Sequence, residues 1–368
     1  MRLAVVGAGP IGLEAALLGE ARGFSVTVLE AGEVGDGLRA WGNTRAFSPV
    51  SMNLSARLLA RAGAHEPAAL LTGPELAALL ERAAMGLDVR RRTRVLSIAR
   101  ARMSRRDFAG HPVRGERPFR LLVEHAGVES IVEADRVLDA SGLSGGPQPL
   151  GTGVGERALV GDARVIRSLA GLNASSLAGA RVALVGHGHS AAHAVGLLVD
   201  AGAEVTWLVR SAHRRPVTEV ADDPLPARAA VVLRANALAE SPPANLTVER
   251  RAHIESVGAS PLVVTLASGQ RLEVDRIVGL VGDRPDTSML SELAVGLSPA
   301  TEGAYGLWCA VSSVTDCLGV PKVRPEQLES GEPGFYLVGR KSYGRASTFL
   351  LQTGLRQLEQ IFDGLAKS

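Results

Sequence analysis

Gly7, Gly9 and Gly12 stand in the order Gly-x-Gly-x-x-Gly, with Pro10 and Ile11 before the last of them. Glycines at this spacing bind phosphate through backbone geometry. Gly7 permits a tight turn, Gly9 lets the chain approach a pyrophosphate, and Gly12 lets a helix pack on the preceding strand. The helix N-terminus then offers unpaired amides and the positive end of its dipole. Glu30, about 20 residues on, is spaced to accept hydrogen bonds from a ribose diol, and Ala31 follows it.

A second turn of this kind occurs at Gly186-His187-Gly188-His189-Ser190-Ala191. Its third glycine is replaced by Ala192 or its neighbour, small enough for close helix packing. Where the first unit ends its second strand in Glu30, this one ends in Arg210, with Arg214 and Arg215 beyond. Guanidinium groups pair with a 2′-phosphate through forked hydrogen bonds, and a carboxylate would repel it, so this site suits NADPH over NADH. His187, His189 and His193 are expected to line the cofactor groove, and no metal is expected, because no Cys, Asp or Glu completes a ligand set.

The elements that must position these turns are legible as apolar runs. Leu3 to Val6 reads as a strand, Ile11 to Leu18 as a helix and Ser25 to Leu29 as a strand. The order repeats at Arg181 to Val185, Ala191 to Val199 and Glu204 to Val209. Thr72 to Ala84 reads as a helix with an early proline; Phe119 to His125 and Ser130 to Leu138 read as strands. Arg90 to Arg117, dense in arginine, reads as a solvated loop. Beyond the second unit, Leu246 to Arg250, Leu262 to Leu266, Arg271 to Val274, Arg276 to Val281 and Gly334 to Val338 read as strands, and Thr348 to Leu365 as an amphipathic helix.

At 368 residues the chain has room for two domains. Its 40 Lys and Arg against 38 Asp and Glu leave a net charge of +2, too little to draw it to nucleic acid or an anionic membrane. No apolar stretch approaches the ~18 residues of a membrane helix. The opening residues run directly into the first glycine turn without a basic region or cleavage site, so a cytoplasmic location is expected. Two cysteines, Cys309 and Cys317, cannot build a disulfide framework.

With two such units, the first ending in Glu and the second in Arg, the chain resembles flavoproteins of the pyridine nucleotide-disulfide oxidoreductase superfamily, which includes flavin-containing monooxygenases and thioredoxin reductases. Smaller motifs follow in the family's order. Ala140-Ser141-Gly142 looks like the junction between two domains, Gly279-Leu280-Val281-Gly282-Asp283-Arg284-Pro285 like the return crossing, and Gly334-Phe335-Tyr336-Leu337-Val338-Gly339 like the C-terminal FAD strand. The resemblance implies an α/β fold of two Rossmann-like dinucleotide-binding domains. A discontinuous FAD domain (1–150 and 280–368) would enclose an inserted NAD(P)H domain (151–279). It adds Trp41, Val95, Gly339, Arg340 and Thr348 to the FAD-binding set. Arg340 stands where the family usually carries an aspartate for the ribityl hydroxyls, so that contact must differ here.

The implied function is an FAD-dependent, NADPH-using oxidoreductase. A disulfide reductase of this family normally carries a close cysteine pair, CxxC or CxxxxC, and none is present. The favoured reaction is therefore monooxygenation of a small nitrogen, sulfur or carbonyl substrate through reduced flavin and oxygen. The alternatives are a flavoprotein reductase without CxxC and a non-catalytic dinucleotide sensor. No catalytic residue is fixed; the candidates are Cys317, Arg45, Lys341 and Tyr343, with Arg345 as a further cation beside the flavin ring. The partner expected is a small-molecule substrate or electron acceptor, and a homodimer is allowed.

Overall fold

The protein is described here by a computed structural model covering residues 1–63, 66–312, 324–329 and 331–365. The elements run in chain order as β1 (Arg2–Val6), α1 (Pro10–Ala21), β2 (Ser25–Leu29), α2 (Asp36–Arg39), α3 (Val50–Asn53), α4 (Ala56–Ala62), α5 (Gly73–Ala83), β3 (Val89–Arg90), β4 (Thr93–Arg100), β5 (Phe119–His125), β6 (Val128–Ala134) and β7 (Arg136–Asp139). Next come β8 (Val165–Ile166), β9 (Arg181–Val185), α6 (His189–Asp200), β10 (Glu204–Val209), α7 (Pro226–Glu240), β11 (Leu246–Arg250), β12 (Ile254–Ala259), β13 (Leu262–Leu266), β14 (Arg271–Glu273) and β15 (Arg276–Gly279). The chain closes with α8 (Tyr305–Val311), α9 (Pro325–Leu328), β16 (Phe335–Leu337), α10 (Arg340–Tyr343) and α11 (Leu351–Leu365).

Two compact units result, one formed by Met1–Gly146 with Asp283–Ser368 and the other by Pro147–Gly282. Each combines a five-stranded parallel sheet with a three-stranded antiparallel one. The first unit has the orders β16-β7-β1-β2-β3 and β4-β5-β6, and the second β11-β10-β9-β15-β8 and β12-β13-β14. Both are Rossmann-like. Their central strands are continuous apolar runs, as in sheets covered on both faces: Leu3, Ala4 and Val5 in β1, and Val182, Ala183 and Leu184 in β9, are buried.

The repetition reaches individual hydrogen bonds. In the first unit the Arg2 amide donates to Asp135 Oδ2 at 2.7 Å and its guanidinium to Oδ1 at 3.0 Å. In the second, Arg181 makes the same two bonds to Asp275 at 2.9 Å each. Each aspartate precedes the neighbouring strand, β7 or β15, so it pins the start of that strand to the start of the central one. At the other end, Ala140 donates to Val6 O and Leu280 to Val185 O, both at 2.9 Å.

Three sequence expectations need correction. Ser130 to Leu138 is not one strand: the chain leaves the antiparallel sheet after Ala134 and enters the parallel one at Arg136, because the Asp135 amide and carboxylate both bond Arg2. The arginine-rich stretch is not simply solvated. It contains β4, and Arg100 and Arg114 are fully buried on Glu332, with ion pairs of 2.9 and 2.8 Å. The Arg100 guanidinium also lies 3.5 Å from the Phe119 ring centroid. Finally, α11 starts at Leu351, leaving Thr348 in the preceding loop.

Candidate functional site

In the first unit, β1, β2, β7 and β16 are parallel, so the segments leaving their C-terminal ends share one edge of the sheet. That edge is where open α/β sheets bind ligands. It carries the glycine turn after β1, Glu30 after β2, Ala140-Ser141-Gly142 after β7, and Gly339-Arg340 after β16.

Gly7 has φ +99°, and a Cβ there would lie 2.8 Å from Ala140 O, so only glycine fits. A Cβ on Gly12 would collide with the Gly7 carbonyl. Gly9 has nothing within 4 Å of its Cβ position: its outer side is an open cradle at the N-terminus of α1, where Pro10 occupies the first turn. Glu30 accepts from the Ala8 amide at 2.6 Å and the Gly32 amide at 2.8 Å, one on each carboxylate oxygen. Each oxygen has a second lone pair, which leaves capacity for a ribose diol. These features fit a dinucleotide. Ala31 is exposed beside Glu30, and Ile11 packs against Gly339, whose φ is +63°.

The second unit repeats the cradle. Gly186 has φ +120°, its Cβ position lies 2.5 Å from Leu280 O, and Gly188 is open. The third small residue is Ala191, fully buried and five positions after Gly186 as Gly12 is after Gly7. The turn is braced by an indole that sequence reasoning missed: Trp207, buried in β10, donates through Nε1 to Gly186 O at 2.7 Å. Only its position opposite the turn on the neighbouring strand could have signalled this.

His189 and Ser190 are exposed at the start of α6. Burial lowers the pKa of His187, with the Arg210 charge adding to the effect, so this imidazole is neutral at pH 7. The half-buried His193 is lowered for the same first reason. Among the described residues no group of His, Cys, Asp and Glu could hold a metal.

The basic residues divide. Arg210 and Arg214 are exposed. Arg215 is engaged, donating to Glu219 at 2.6 Å and Glu240 at 2.7 Å. Arg250, also missed by the sequence reading, donates to the carbonyls of His213 at 3.1 Å and Arg214 at 3.0 Å and so fixes the loop's path.

The remaining candidates are widely placed. Lys341 is wholly buried: its ammonium lies 2.6 Å from Asp139 Oδ2 and donates to Ser141 Oγ at 2.9 Å. Tyr343 is buried in the core against Phe349, and its hydroxyl has no hydrogen-bond partner among the described residues; burial pushes its pKa up to about 12. Arg345 is tied to Glu302 at 2.9 and 3.0 Å. Arg45 is exposed and donates to Leu70 O at 2.8 Å. Trp41 is 39% exposed, Val95 lies buried in β4, and Thr348 is buried. Gly142 has φ +69° and open space around it. Cys309 is exposed on α8. Cys317 lies outside the described residues.

Residues 1–305 match the family model described as pyridine nucleotide-disulphide oxidoreductase. The chain belongs to this family. FAD and NAD(P)H are the cofactors of these oxidoreductases, and both cradles suit such ligands. No curated protein matches the chain significantly. Among solved structures, it is similar to a bacillithiol disulfide reductase from Bacillus cereus, with 17% identity, TM-score 0.74, and coverage of 100% of this chain and 99% of that one. It is also similar to a thioredoxin reductase from T. acidophilum, with 19% identity, TM-score 0.61, and coverage of 99% and 98%. A flavin monooxygenase from Stenotrophomonas maltophilia aligns with 21% identity, TM-score 0.66, and coverage of 100% and 98%. At these identities the likeness establishes the shared fold. Monooxygenation, favoured by the sequence, receives no specific support from this oxidoreductase family.

Proposed function

We propose that the first unit holds FAD, the second holds NADPH, and electrons pass through the flavin directly to a small-molecule acceptor, with a low-molecular-weight disulfide as the leading class. The observation that carries this reading is the pair of like cradles with opposite ribose ends, Glu30 in one and the exposed Arg210 and Arg214 in the other. A carboxylate takes a ribose diol, and guanidinium groups take a 2′-phosphate. When bound, the flavin accepts hydride from the nicotinamide and passes on two electrons. The balanced reaction is NADPH, a proton and a disulfide giving NADP⁺ and two thiols.

The chain's own residues bind and orient. The glycine turns admit the two pyrophosphates, Glu30 and Arg210 hold the two ribose ends, and the neutral His187 borders the second groove without adding charge. A cysteine relay requires two sulfurs that can meet at bonding distance. The two cysteines, Cys309 and Cys317, stand eight positions apart and form neither CxxC nor CxxxxC, which favours an acceptor that comes to the flavin itself. The name of one structural relative, a bacillithiol disulfide reductase, agrees with this acceptor class.

A second reading, monooxygenation, is favoured by the alignment of the whole chain with the Stenotrophomonas flavin monooxygenase. One experiment separates the two. The flavin-loaded protein is bleached anaerobically with NADPH, then mixed with bacillithiol disulfide, glutathione disulfide or cystine, or with air and an amine or sulfide. Rapid return of flavin colour with two thiols per NADPH supports the reductase. Oxygen incorporated into the added amine or sulfide supports the monooxygenase. Failure of NADPH to bleach the flavin rejects both.

Arg210→Glu is expected to raise KM for NADPH by roughly 10- to 150-fold, the equivalent of a 1.5–3 kcal/mol charged hydrogen bond, and to leave KM for NADH nearly unchanged. Equal effects on the two nucleotides would remove the 2′-phosphate assignment.

A further inference from the structure

Three cations follow β16 in close succession, Arg340, Lys341 and Arg345, and the structure gives them different electrostatic settings. Lys341 is neutralised in the core by Asp139. Arg345 is neutralised by a forked bond to Glu302, which Arg284 also approaches. Arg340 is half-buried and donates to the Ala346 carbonyl, a neutral partner. Burial pushes its pKa down to about 10, opposed by the Asp283 carboxylate. A guanidinium in that setting remains charged at pH 7.

Strand order fixes what this charge can meet. In the order β16-β7-β1-β2, Glu30 lies at the end of β2, the glycine turn at the end of β1, and Arg340 beyond β16. Neighbouring strands are ~4.8 Å apart, so Arg340 starts roughly 10 Å to the side of the turn that Glu30 does not occupy. A dinucleotide with its adenosine ribose on Glu30 and its pyrophosphate on the turn extends its other half across the ends of β7 and β16. The backbone there is held close: a Cβ on Gly339 would lie 3.0 Å from the Ile11 side chain, so the step into α10 abuts the glycine turn.

We propose that Arg340 is a cationic contact to the flavin half of FAD, stabilising the negative charge that reduction places on the ring and so raising the flavin's reduction potential. This rests on the assignment of FAD to the first unit. The residue found where the family usually carries an aspartate then does more than replace a ribityl contact, because it puts a cation, with Asp283 as a neighbouring counter-charge, where that aspartate would put an anion.

The test uses the flavin-loaded full chain and the variants Arg340→Met, Arg340→Gln and Arg340→Lys. Three quantities are read: FAD per protein, the midpoint potential by anaerobic dye equilibration, and the dissociation constant for sulfite, which adds to oxidised flavin as an anion and reports positive charge at the ring. Arg340→Met is expected to weaken sulfite binding about tenfold. It is expected to lower the potential by about 30 mV, the two-electron equivalent of a tenfold change. Arg340→Lys should keep both near the wild-type values. Arg340→Gln removes the charge while keeping a donor for Ala346, and decides the matter if the methionine variant does not fold. Wild-type sulfite affinity and potential in a flavin-loaded Met or Gln variant would overturn the role of Arg340 alone. A wild-type chain that takes up no FAD would overturn the cofactor assignment with it.

Discussion

At the scale of single residues, the interior of the first unit places one strong constraint on function. Asp139 and Lys341 are both fully buried, and Asp139 Oδ1 also accepts from the Ser141 amide at 3.1 Å and hydroxyl at 2.7 Å. A buried ion pair contributes little net stability over an apolar pair of the same shape, but removing one partner strands the other charge in low dielectric. Lys341→Met is therefore expected to cost about 3–5 kcal/mol in urea unfolding, and Lys341→Met with Asp139→Leu to recover part of that loss. Equal stability of wild type and the single variant would show that the pair is not buried as a charge. The same reasoning moves Lys341 out of the group of free cations beside the flavin. The sequence presents Lys341 as a site candidate beside the flavin, because a partner 202 positions away, Asp139, cannot be read from spacing.

At the scale of elements, the two glycine turns and their flanking strands and helices were legible because apolar runs, turn glycines and packing all favour the same conformation. Ser25–Leu29, Arg181–Val185 and Glu204–Val209 begin and end where the pattern places them. Elsewhere a tertiary partner decides. Arg100 and Arg114 read as solvated from composition, and only Glu332, more than 200 positions away, takes them into the core. The turn at Asp135 that divides Ser130–Leu138 likewise depends on Arg2. That clamp and its twin at Asp275 carry a prediction. Asp275 is lowered from its ordinary 3.8 to about 2 by its hydrogen bonds to Arg181, side chain first and then backbone. A depressed carboxylate contributes stability above its unfolded pKa and loses it as the pH falls through the folded one. Stability should therefore fall between about pH 4 and pH 2, and Asp275→Asn should flatten the acid limb while lowering stability at pH 7. An unchanged acid limb in circular dichroism would show that the clamp does not hold β9 to β15.

At the scale of the whole molecule, each unit encloses its own buried clusters: Leu3 through Phe362 in the first, and the two groups within Leu150 to Leu280 in the second. Independent cores allow independent stabilisation, since a ligand that binds only the folded form of one unit raises that unit's stability by RT ln(1 + [L]/Kd). With FAD on the first unit and NADP⁺ on the second, each at about 100 times its Kd, the gain is about 2.7 kcal/mol for the unit concerned. That corresponds to a shift of roughly 5–10 °C for domains of this size. Differential scanning calorimetry of the full chain should then resolve two transitions, one raised by FAD and the other by NADP⁺. At the same NADP⁺ concentration, Arg210→Glu should cut the NADP⁺ shift to about half or less and leave the FAD shift intact. One transition moved equally by both ligands would mean that the two cores unfold as one cooperative body, and the assignment of one nucleotide to each unit would then need direct binding data on variants of each glycine turn.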